Sequence, residues 1–240
     1  MQYIRAVLTL AAAPLITFIF SALTLLDIMF FRKSGEKVQI FPITWARCIC
    51  RMIGVRVRIT GADNLNPGQT YIFVGNHVSQ FDIFCFQGYF PHAFRWIAKK
   101  ELFRIPFFGP AMRRSGVVSI DRSKGREALK SLDRAARQIA GGTSVLIFPE
   151  GTRSPDGRLH PFKTGAAILA IKAGVPVVPI GFIGTYDILP KGKLLAKNGE
   201  VAIRIGKPIP TMGYKAGNKK ELTEELRARV TELLRETDAG

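Results

Sequence analysis

The sequence predicts an α/β protein: a mostly parallel sheet of roughly seven strands, covered by helices and preceded by an N-terminal helical hairpin that anchors the chain to a membrane. Three observations lead to this fold class. Short apolar runs alternate with helical patterns along most of the 240 residues, the N-terminus is a long apolar segment, and the composition is 47% hydrophobic. We expect the anchor in residues 1–54 and the α/β domain in residues 55–240.

The N-terminal segment is long enough to cross a bilayer. In residues 6–31 the only ionisable side chain is that of Asp27. As a helix this segment spans roughly 39 Å, which exceeds the ~30 Å hydrocarbon core of a bilayer. No Ala-x-Ala site follows the apolar run, which argues against a cleaved signal peptide. Pro14 and Asp27 are unfavourable, however, in a helix that simply spans the membrane.

Residues 36–54 predict a second helix with two different faces. Arg47 and Arg51 lie one turn apart on one side, and apolar residues recur at helical spacing on another. The apolar set is Val38, Phe41, Trp45, Cys48, Ile49 and Met52. Such a helix suits a membrane interface, so we expect a hairpin that enters one leaflet. A first helix that spans the membrane is the second arrangement, and a helix packed on the main domain is the third.

The remaining chain alternates strand and helix patterns, which is typical of a parallel sheet with helices on its faces. Runs rich in β-branched or aromatic residues predict strands at residues 55–60, 71–75, 94–98, 117–120, 144–148, 177–182 and 201–205. Helical patterns predict helices at residues 79–89, 126–140, 165–173 and 219–236. No repeat and no long linker divides this part of the chain.

Composition restricts the function. The chain has 35 Lys and Arg against 18 Asp and Glu, and its net charge of +17 indicates a phosphorylated substrate, an anionic lipid surface or a nucleic acid. The apolar N-terminus and the lack of a recognisable binding motif argue against a nucleic acid. Three cysteines and three histidines supply neither a disulfide framework nor a zinc-site spacing, so we expect an intracellular protein without a metal.

The first candidate site lies at the end of the second predicted strand, where α/β folds usually bind ligands. His77 and Asp82 stand there, five positions apart. On one continuous helix the two side chains diverge by roughly 140°, so they meet only if His77 precedes the helix. With Ser79 as the N-cap, Asp82 takes the third helical position and can orient the imidazole as a general base. The alternative is a capping aspartate beside an incidental histidine.

The second candidate site follows the fifth predicted strand, in residues 148–154. Gly151 permits a tight turn there, and the planar guanidinium of Arg153 suits a phosphate or a carboxylate. Lys163 precedes a helix whose N-terminal N–H groups also favour anions. Taken alone, each of these positions is equally consistent with a solvated turn.

Basic residues at the ends of two other predicted strands extend this cluster. Lys99 and Arg122 follow the third and fourth strands, and residues 91–163 hold 15 basic against 6 acidic residues. No Gly-x-Ser-x-Gly elbow occurs, and Cys85 lies in an apolar helical stretch that is typical of packing. The residues therefore indicate a histidine base beside a group of cations, with no marked covalent nucleophile.

Four segments resemble, in order and in chemistry, the four motifs of the glycerolipid acyltransferase family. They are residues 76–82, 116–122, 148–154 and 175–180. The closest resemblance is to the lysophosphatidic acid (1-acyl-glycerol-3-phosphate) acyltransferases, and it covers residues 59–209. It implies the glycerolipid acyltransferase fold and a His–Asp mechanism without a covalent acyl-enzyme.

The resemblance also implies roles for individual residues. His77 is the base and Asp82 its orienting partner. The residues expected to bind the phosphate of the acceptor are Lys99, Arg122 and Arg153. Glu150 and Gly151 are expected to shape the acceptor pocket, and Lys163 is a further candidate contact.

The implied reaction transfers an acyl chain to the free sn-2 hydroxyl of lysophosphatidic acid and yields phosphatidic acid for phospholipid synthesis. The donor is a co-substrate thioester, acyl-CoA or acyl-ACP, and no cofactor is expected. Related acceptors remain open: glycerol-3-phosphate, another lysophospholipid or a lyso-aminolipid. A membrane-binding basic protein is the non-enzymatic alternative. We expect a location on the cytoplasmic face of the inner (plasma) membrane, with the phospholipid membrane and an acyl carrier protein as partners and no nucleic acid.

Overall fold

Seven strands form one sheet in the computed structural model, which describes residues 2–31, 39–121 and 126–236. The strands are β1 (Val55–Thr60), β2 (Ile72–Gly75), β3 (Arg95–Lys99), β4 (Val118–Ile120), β5 (Val145–Ile147), β6 (Val177–Ile183) and β7 (Gly199–Ile205). Each strand that the sequence predicts is present, with bounds that differ by one or two residues at most. The predicted fold class, a mostly parallel sheet covered by helices, is confirmed.

The strand order β1-β7-β6-β2-β5-β3-β4 places β2 near the centre of the sheet. All neighbouring strands are parallel except β6 and β7, which pair antiparallel. In β2, Phe73 enters one core cluster, whereas Ile72 and Val74 enter the other, as the two-residue period of a strand requires. Because β6, β2, β5, β3 and β4 run in the same direction, the loops that follow them meet at one edge of the sheet.

Helices cover both faces of the sheet. Those described are α1 (Gln2–Phe31), α2 (Ile40–Ile53), α3 (Phe81–Tyr89), α4 (Phe108–Arg114), α5 (Arg126–Ala140), α6 (Gly165–Ala173), α7 (Thr185–Ile188) and α8 (Lys219–Arg235). One core cluster contains residues of α2 and α3, and the other contains residues of α5, α6 and α8. The sequence analysis did not predict α4 and α7, because seven and four residues are too few to show a helical period.

The two N-terminal helices pack against each other and against the α/β domain. Trp45 of α2 donates a hydrogen bond from Nε1 to Thr17 Oγ1 of α1 at 3.1 Å. α2 also contacts α3, and α1 contacts α4. The buried side of α2 consists of Ala46, Ile49, Cys50 and Ile53, so the helix packs on the domain, as in the third arrangement considered above. Of the described residues in the predicted apolar set only Ile49 is buried, and the side that faces the domain is therefore not the one predicted. Residues 36–38 of the predicted second helix lie outside the described residues.

The exposed apolar surface is on α1 instead. Within the part of the chain that the structure describes, only the helical stretch from Gln2 to Phe30 is long and apolar enough to cross a membrane. Its exposed large side chains include Tyr3, Ile4, Leu8, Leu15, Phe18, Ile19, Met29 and Phe30. A continuous apolar surface of this kind indicates contact with lipid or with another apolar partner.

Candidate active site

The end of β2 is tied firmly to the neighbouring strand β6. Asn76, which follows β2 directly, donates from Nδ2 to the carbonyl oxygen of Phe182 at 2.9 Å. In return, the N–H of Phe182 donates to Asn76 Oδ1 at 2.8 Å. Both groups are buried, so this reciprocal pair fixes the point at which the chain leaves the sheet and places His77 beside it.

Asp82 holds the imidazole of His77 in one orientation. The Nδ1 atom of His77 lies 2.8 Å from Asp82 Oδ2, and the Asp82 side chain is fully buried. A carboxylate only accepts hydrogen bonds, so we assign the proton to Nδ1, which leaves the Nε2 lone pair available as a base. Asp82 Oδ2 also accepts from the N–H groups of Val78 and Ser79, at 2.8 and 2.9 Å. Three donors thus compensate the charge of the buried carboxylate.

The prediction of Ser79 as the helix N-cap was wrong. α3 begins at Phe81, and Gln80 precedes it, so Asp82 is the second helical residue rather than the third. The Ser79 hydroxyl accepts from the N–H of Phe81 at 3.1 Å and donates to the carbonyl oxygen of Leu189 at 2.8 Å. The Asp82 carboxylate takes the N–H groups that precede the helix, and the helix therefore starts later than the sequence pattern indicates.

The imidazole is also fixed by stacking. Phe148, directly after β5, lies parallel to the His77 ring, with 3.9 Å between the ring centroids and 11° between the planes. Trp96 of β3 stacks in turn on Phe148, with centroids 6.5 Å apart and 28° between the planes. Phe148 begins the second segment predicted as a candidate site, although no role was predicted for its ring, and Trp96 was not predicted to belong to the site. Together with Asp82, they leave the His77 ring little freedom to rotate.

Glu150 links the loop after β5 to the main chain at His77. Its Oε1 accepts from the N–H of His77 at 2.7 Å, and its Oε2 accepts from the N–H of His160 at 3.1 Å. Burial raises the pKa of Glu150, although these two hydrogen bonds oppose the shift. The N–H of Ser154 donates to the carbonyl oxygen of His77 at 2.7 Å, so both peptide groups of His77 are held by this loop.

Gly151 and Lys163 lie against each other in the same loop region. Gly151 has a φ of 80°, a left-handed conformation that favours glycine. A Cβ atom at this position would lie 2.8 Å from Lys163 Nζ. The glycine therefore permits both the turn and the close approach of the lysine ammonium.

A cavity of about 610 Å³ opens beside His77. His77, Lys99, Gly151 and Arg153 line it, and most of the remaining lining is apolar. The apolar and aromatic lining residues include Phe20, Trp45, Ile83, Phe94, Trp96, Ile97, Leu102, Phe108, Met112, Leu146 and Phe148. A large, mostly apolar cavity with a few convergent polar groups is typical of a ligand site.

α1 supplies one wall of this cavity through Thr17, Ser21 and Thr24. These residues are spaced by four and three positions, so they form a polar stripe on one face of an otherwise apolar helix. The sequence analysis missed them. The stripe was nevertheless a usable signal, because a helix surrounded by lipid has no need of one polar face.

The predicted site residues fall into three groups. His77, Lys99, Gly151 and Arg153 line the cavity. Asp82 and Glu150 are buried behind it, and Lys163 lies against Gly151. Arg122 lies outside the described residues. Among the residues that the structure describes, no group of three or more His, Cys, Asp or Glu side chains is placed to hold a metal.

A second histidine–aspartate pair lies in the loop after β5, where its hydrogen bonds stabilise a turn. His160 Nε2 is 2.9 Å from Asp156 Oδ1, which also accepts from the Ser154 hydroxyl and the N–H of Arg158. The hydrogen bond from Ser154, followed by those from Arg158 and His160, lowers the pKa of Asp156 well below its usual range. Both side chains of the pair are exposed, and neither lines the cavity beside His77.

Comparison with known proteins gives a matching family model and several relatives that are named as acyltransferases. Residues 56–183 match the family model of the Acyltransferase family. The chain is 40% identical, over 85% of its length, to the chloroplastic 1-acyl-sn-glycerol-3-phosphate acyltransferase BAT2 of Brassica napus, and spans 55% of that protein. It is 33% identical, over 77% of its length, to 1-acyl-sn-glycerol-3-phosphate acyltransferase alpha of Homo sapiens, and spans 66% of that protein. The chain thus covers about half the length of the plant relative.

A solved structure resembles the whole chain. The crystal structure of the 1-acyl-sn-glycerophosphate (LPA) acyltransferase PlsC of Thermotoga maritima superimposes with a TM-score of 0.79 at 28% identity. The alignment covers 99% of this chain and 100% of that one. The family model, the relatives and the fold agree, and the chain belongs to the Acyltransferase family.

Proposed function

We propose that this chain transfers an acyl group from an acyl thioester to the sn-2 hydroxyl of lysophosphatidic acid and so forms phosphatidic acid for phospholipid synthesis. The observation that carries the proposal is the His77–Asp82 pair, which lies at 2.8 Å and borders an apolar cavity with Lys99 and Arg153 in its wall. Relatives named as 1-acyl-sn-glycerol-3-phosphate acyltransferases support this acceptor.

The site supports direct attack of the acceptor hydroxyl on the thioester. An alcohol hydroxyl is barely ionised near neutral pH, so it needs a base at the moment of attack. Nε2 of His77 accepts its proton while the oxygen forms a bond to the acyl carbon. The carbon–sulfur bond then breaks, and the proton passes from Nε2 to the departing thiolate. Asp82 stabilises the imidazolium that exists between these two transfers.

The N–H groups at the start of α3 have other partners. Those of Val78 and Ser79 donate to Asp82, and that of Phe81 donates to Ser79 Oγ. These three N–H groups are therefore not free to stabilise the oxyanion of the tetrahedral intermediate, which needs other donors.

Sheet topology supports the assignment of the acceptor phosphate. Lys99 is the last residue of β3, and Arg153 lies in the loop after β5, the neighbouring strand. Two neighbouring strand ends thus bring basic side chains to the cavity. The apolar part of the cavity is suited to an acyl chain, because its walls offer few polar partners.

An acceptor panel tests the proposal. Purified protein in detergent is supplied with palmitoyl-CoA and, in separate reactions, with lysophosphatidic acid, glycerol-3-phosphate, lysophosphatidylcholine or a lyso-aminolipid. We expect phosphatidic acid as the main product, identified by its mass, and repetition with palmitoyl-ACP identifies the donor. If another acceptor gives the main product, that acceptor replaces lysophosphatidic acid in the proposal. If no acceptor is acylated by either donor, the chain is a membrane-binding basic protein without this activity.

Arg153 provides the test of the phosphate assignment. Replacement by lysine keeps the charge but loses the two-pronged geometry, so Arg153→Lys should raise the KM for lysophosphatidic acid more than the KM for the thioester. Arg153→Ala should have the stronger effect, on the order of 2–5 kcal/mol in binding if the charge pair is desolvated. Steady-state kinetics with each substrate varied in turn measures both constants.

Arg158 is the matched control, since it is an exposed arginine in the same loop that does not line the cavity. Arg158→Lys should change neither KM. If Arg153→Lys raises only the KM for the thioester, Arg153 binds the donor phosphates instead. If the Arg153 variants leave both constants unchanged, Arg153 is a solvated turn residue.

For the membrane, the proposal is attachment to one leaflet, at the cytoplasmic face of the inner (plasma) membrane. The exposed apolar face of α1 continues into the segment after β3, where Leu102, Ile105 and Phe107 are 40%, 44% and 54% exposed. The Phe107 ring contacts that of Phe18 on α1 edge to face, with centroids 5.2 Å apart. Phe107 also has a φ of 60°, which is rare for a bulky residue and typical of functional segments.

Two features support attachment to one leaflet over a spanning α1. The middle of α1 packs on the domain and lines the cavity, so it cannot be surrounded by lipid along its whole length. Leu102 belongs both to the cavity lining and to the exposed apolar face, so a lipid acceptor can pass from the leaflet to His77 without crossing water. We define Leu102, Ile105 and Phe107 as the docking segment.

Serine substitutions in the docking segment test this attachment. Burial of one large apolar side chain contributes roughly 1.5–3 kcal/mol. The double variant Ile105→Ser, Phe107→Ser should therefore lower the partition coefficient of the protein into anionic phospholipid vesicles by at least about tenfold. A flotation assay measures this coefficient, and a melting curve confirms that both proteins are folded.

The control variant replaces Leu194 and Met212 by serine. These side chains are 72% and 89% exposed and belong to neither α1 nor the docking segment. The control should float as the original protein does. Equal partition of the docking variant and the original protein would mean that residues 102–107 do not contact the membrane.

A further inference from the structure

A tight turn after α7 is fastened to the segment that carries His77. The N–H of Lys193 donates to the carbonyl oxygen of Pro190 at 3.1 Å, and Gly192 has a φ of 86°, as a type II turn requires. Ser79 and Pro190 form an isolated antiparallel bridge, and Ser79 Oγ donates to the carbonyl oxygen of Leu189. The turn is therefore held against Ser79, which lies two residues after His77 in the chain.

The same turn carries a lysine to the rim of the cavity. Lys191 Nζ donates to Thr152 Oγ1 at 3.3 Å, and Thr152 lines the cavity next to Arg153. Nearby, the hydroxyl of Tyr186 donates to the carbonyl oxygen of Pro155 at 3.1 Å. Lys191 thus joins the turn to the loop after β5, and Tyr186 joins α7 to the same loop.

The lysines of the turn are available to bind an anion. Lys191 and Lys193 are both exposed, and neither forms an ion pair with a carboxylate in residues 2–31, 39–121 or 126–236. Some other lysines of the chain are paired: Lys100 with Asp121 at 2.7 Å and Lys172 with Asp133 at 2.6 Å. Two unpaired ammonium groups in one rigid turn are suited to a ligand with phosphate groups.

The sheet places this turn and Lys99 on opposite sides of His77. His77 follows β2, which lies between β6 and β5. The turn belongs to the connection that follows β6, whereas Lys99 ends β3, which lies beyond β5 on the other side. On the Lys99 side are the exposed apolar residues of the docking segment, which suit a lipid. On the turn side, Lys191 and Lys193 are exposed and Leu194 follows them, so this side presents two cations beside one exposed apolar side chain.

We infer that Lys191 and Lys193 bind the phosphates of the acyl donor, at a position separate from that of the acceptor phosphate. This inference rests on the proposed function, because a transfer between a phosphorylated lipid and a phosphorylated thioester brings two anionic groups to one histidine. The phosphate that acyl-CoA and acyl-ACP share is that of the phosphopantetheine arm. Cations on both sides of His77 keep the two anionic substrates apart and orient each toward the base.

The test removes the charges of the turn and varies the phosphates of the donor. The variant Lys191→Met, Lys193→Met is assayed with lysophosphatidic acid and three donors: palmitoyl-CoA, palmitoyl-ACP and palmitoyl-pantetheine, which keeps the thioester but lacks every phosphate. We expect the KM for palmitoyl-CoA to rise roughly tenfold or more, as for the loss of a charged hydrogen bond. The KM for palmitoyl-pantetheine and for lysophosphatidic acid should stay unchanged.

A matched variant and the donor series make the outcome decisive. Lys207→Met, Lys220→Met removes the same charge from two exposed lysines elsewhere and should leave every KM as in the original protein. A rise with palmitoyl-CoA alone assigns the nucleotide phosphates to the turn, and a rise with palmitoyl-ACP as well assigns the phosphopantetheine phosphate. An equal loss with palmitoyl-pantetheine, a rise only for lysophosphatidic acid, or no change overturns the inference. Activity of the unmodified protein on lysophosphatidic acid tests the proposed function separately.

Discussion

The variant His77→Ala is expected to lose acyl transfer altogether while it keeps its fold and its binding to vesicles. The expectation follows from the geometry of the base: His77 lines the cavity, and its Nδ1 is held by Asp82 at 2.8 Å. Removal of the imidazole leaves the acceptor hydroxyl without a group to take its proton. A positioned base typically contributes 10²–10⁴-fold on its own, and here the same group must also protonate the leaving thiolate.

The second histidine–aspartate pair provides the control. His160→Ala removes an exposed imidazole that lies 2.9 Å from Asp156 and does not line the cavity. The N–H of residue 160, which donates to Glu150, is retained in this variant. We expect His160→Ala to keep its turnover number to within a few-fold. Near-normal turnover in His77→Ala, measured as phosphatidic acid formed per enzyme, would refute the mechanism.

Asp82→Asn is expected to lower the turnover number by roughly 10⁴-fold, the loss known for the corresponding change in the serine-protease triad. The change is conservative in this structure. Asp82 Oδ1 is buried and has no hydrogen-bond partner among residues 2–31, 39–121 and 126–236, whereas Oδ2 accepts three hydrogen bonds. An asparagine can place its oxygen at the Oδ2 position and its nitrogen at the Oδ1 position, so the contacts stay while the negative charge is lost.

Measurements of rate and stability together separate the two roles of Asp82. If the carboxylate orients His77 and stabilises its protonated form, the turnover number of Asp82→Asn falls far more than its melting temperature, and the KM values change little. If Asp82 only caps α3, stability falls and the remaining folded protein turns over normally. Asp156→Asn alters the exposed pair in the same way and should keep its turnover number.

Much of the fold could be predicted because its signals are local. β2 and β6 are short apolar runs next to glycine and proline, and their patterns need no knowledge of the rest of the chain. The start of α3 could not be predicted to the residue, since the side chains of Ser79 and Asp82 both accept hydrogen bonds from backbone N–H groups close to it. Asp82 takes those of Val78 and Ser79, and this result depends on how tightly the chain turns after β2.

The candidate site could be predicted only where residues of recognisable chemistry lie close together in the sequence. His77 and Asp82 meet that condition, and so do Gly151 and Arg153. The cavity wall does not, because it combines six elements from across the chain, from Thr17 on α1 to Phe148 after β5. Lys191 has no spacing that distinguishes it from other exposed lysines, and only the contact with Thr152 draws attention to it.

The shared wall between α1 and the domain has a consequence for engineering a water-soluble form of the enzyme. Deletion of α1 removes its exposed apolar surface but also opens the cavity along Thr17, Ser21 and Thr24. A truncated protein would therefore gain solubility but lose one wall of the cavity. Redesign of the outward side chains alone, such as Leu8, Leu15 and Met29, would keep the inner face intact. The exposed apolar surface and the cavity wall thus lie on opposite faces of one helix and can be altered independently.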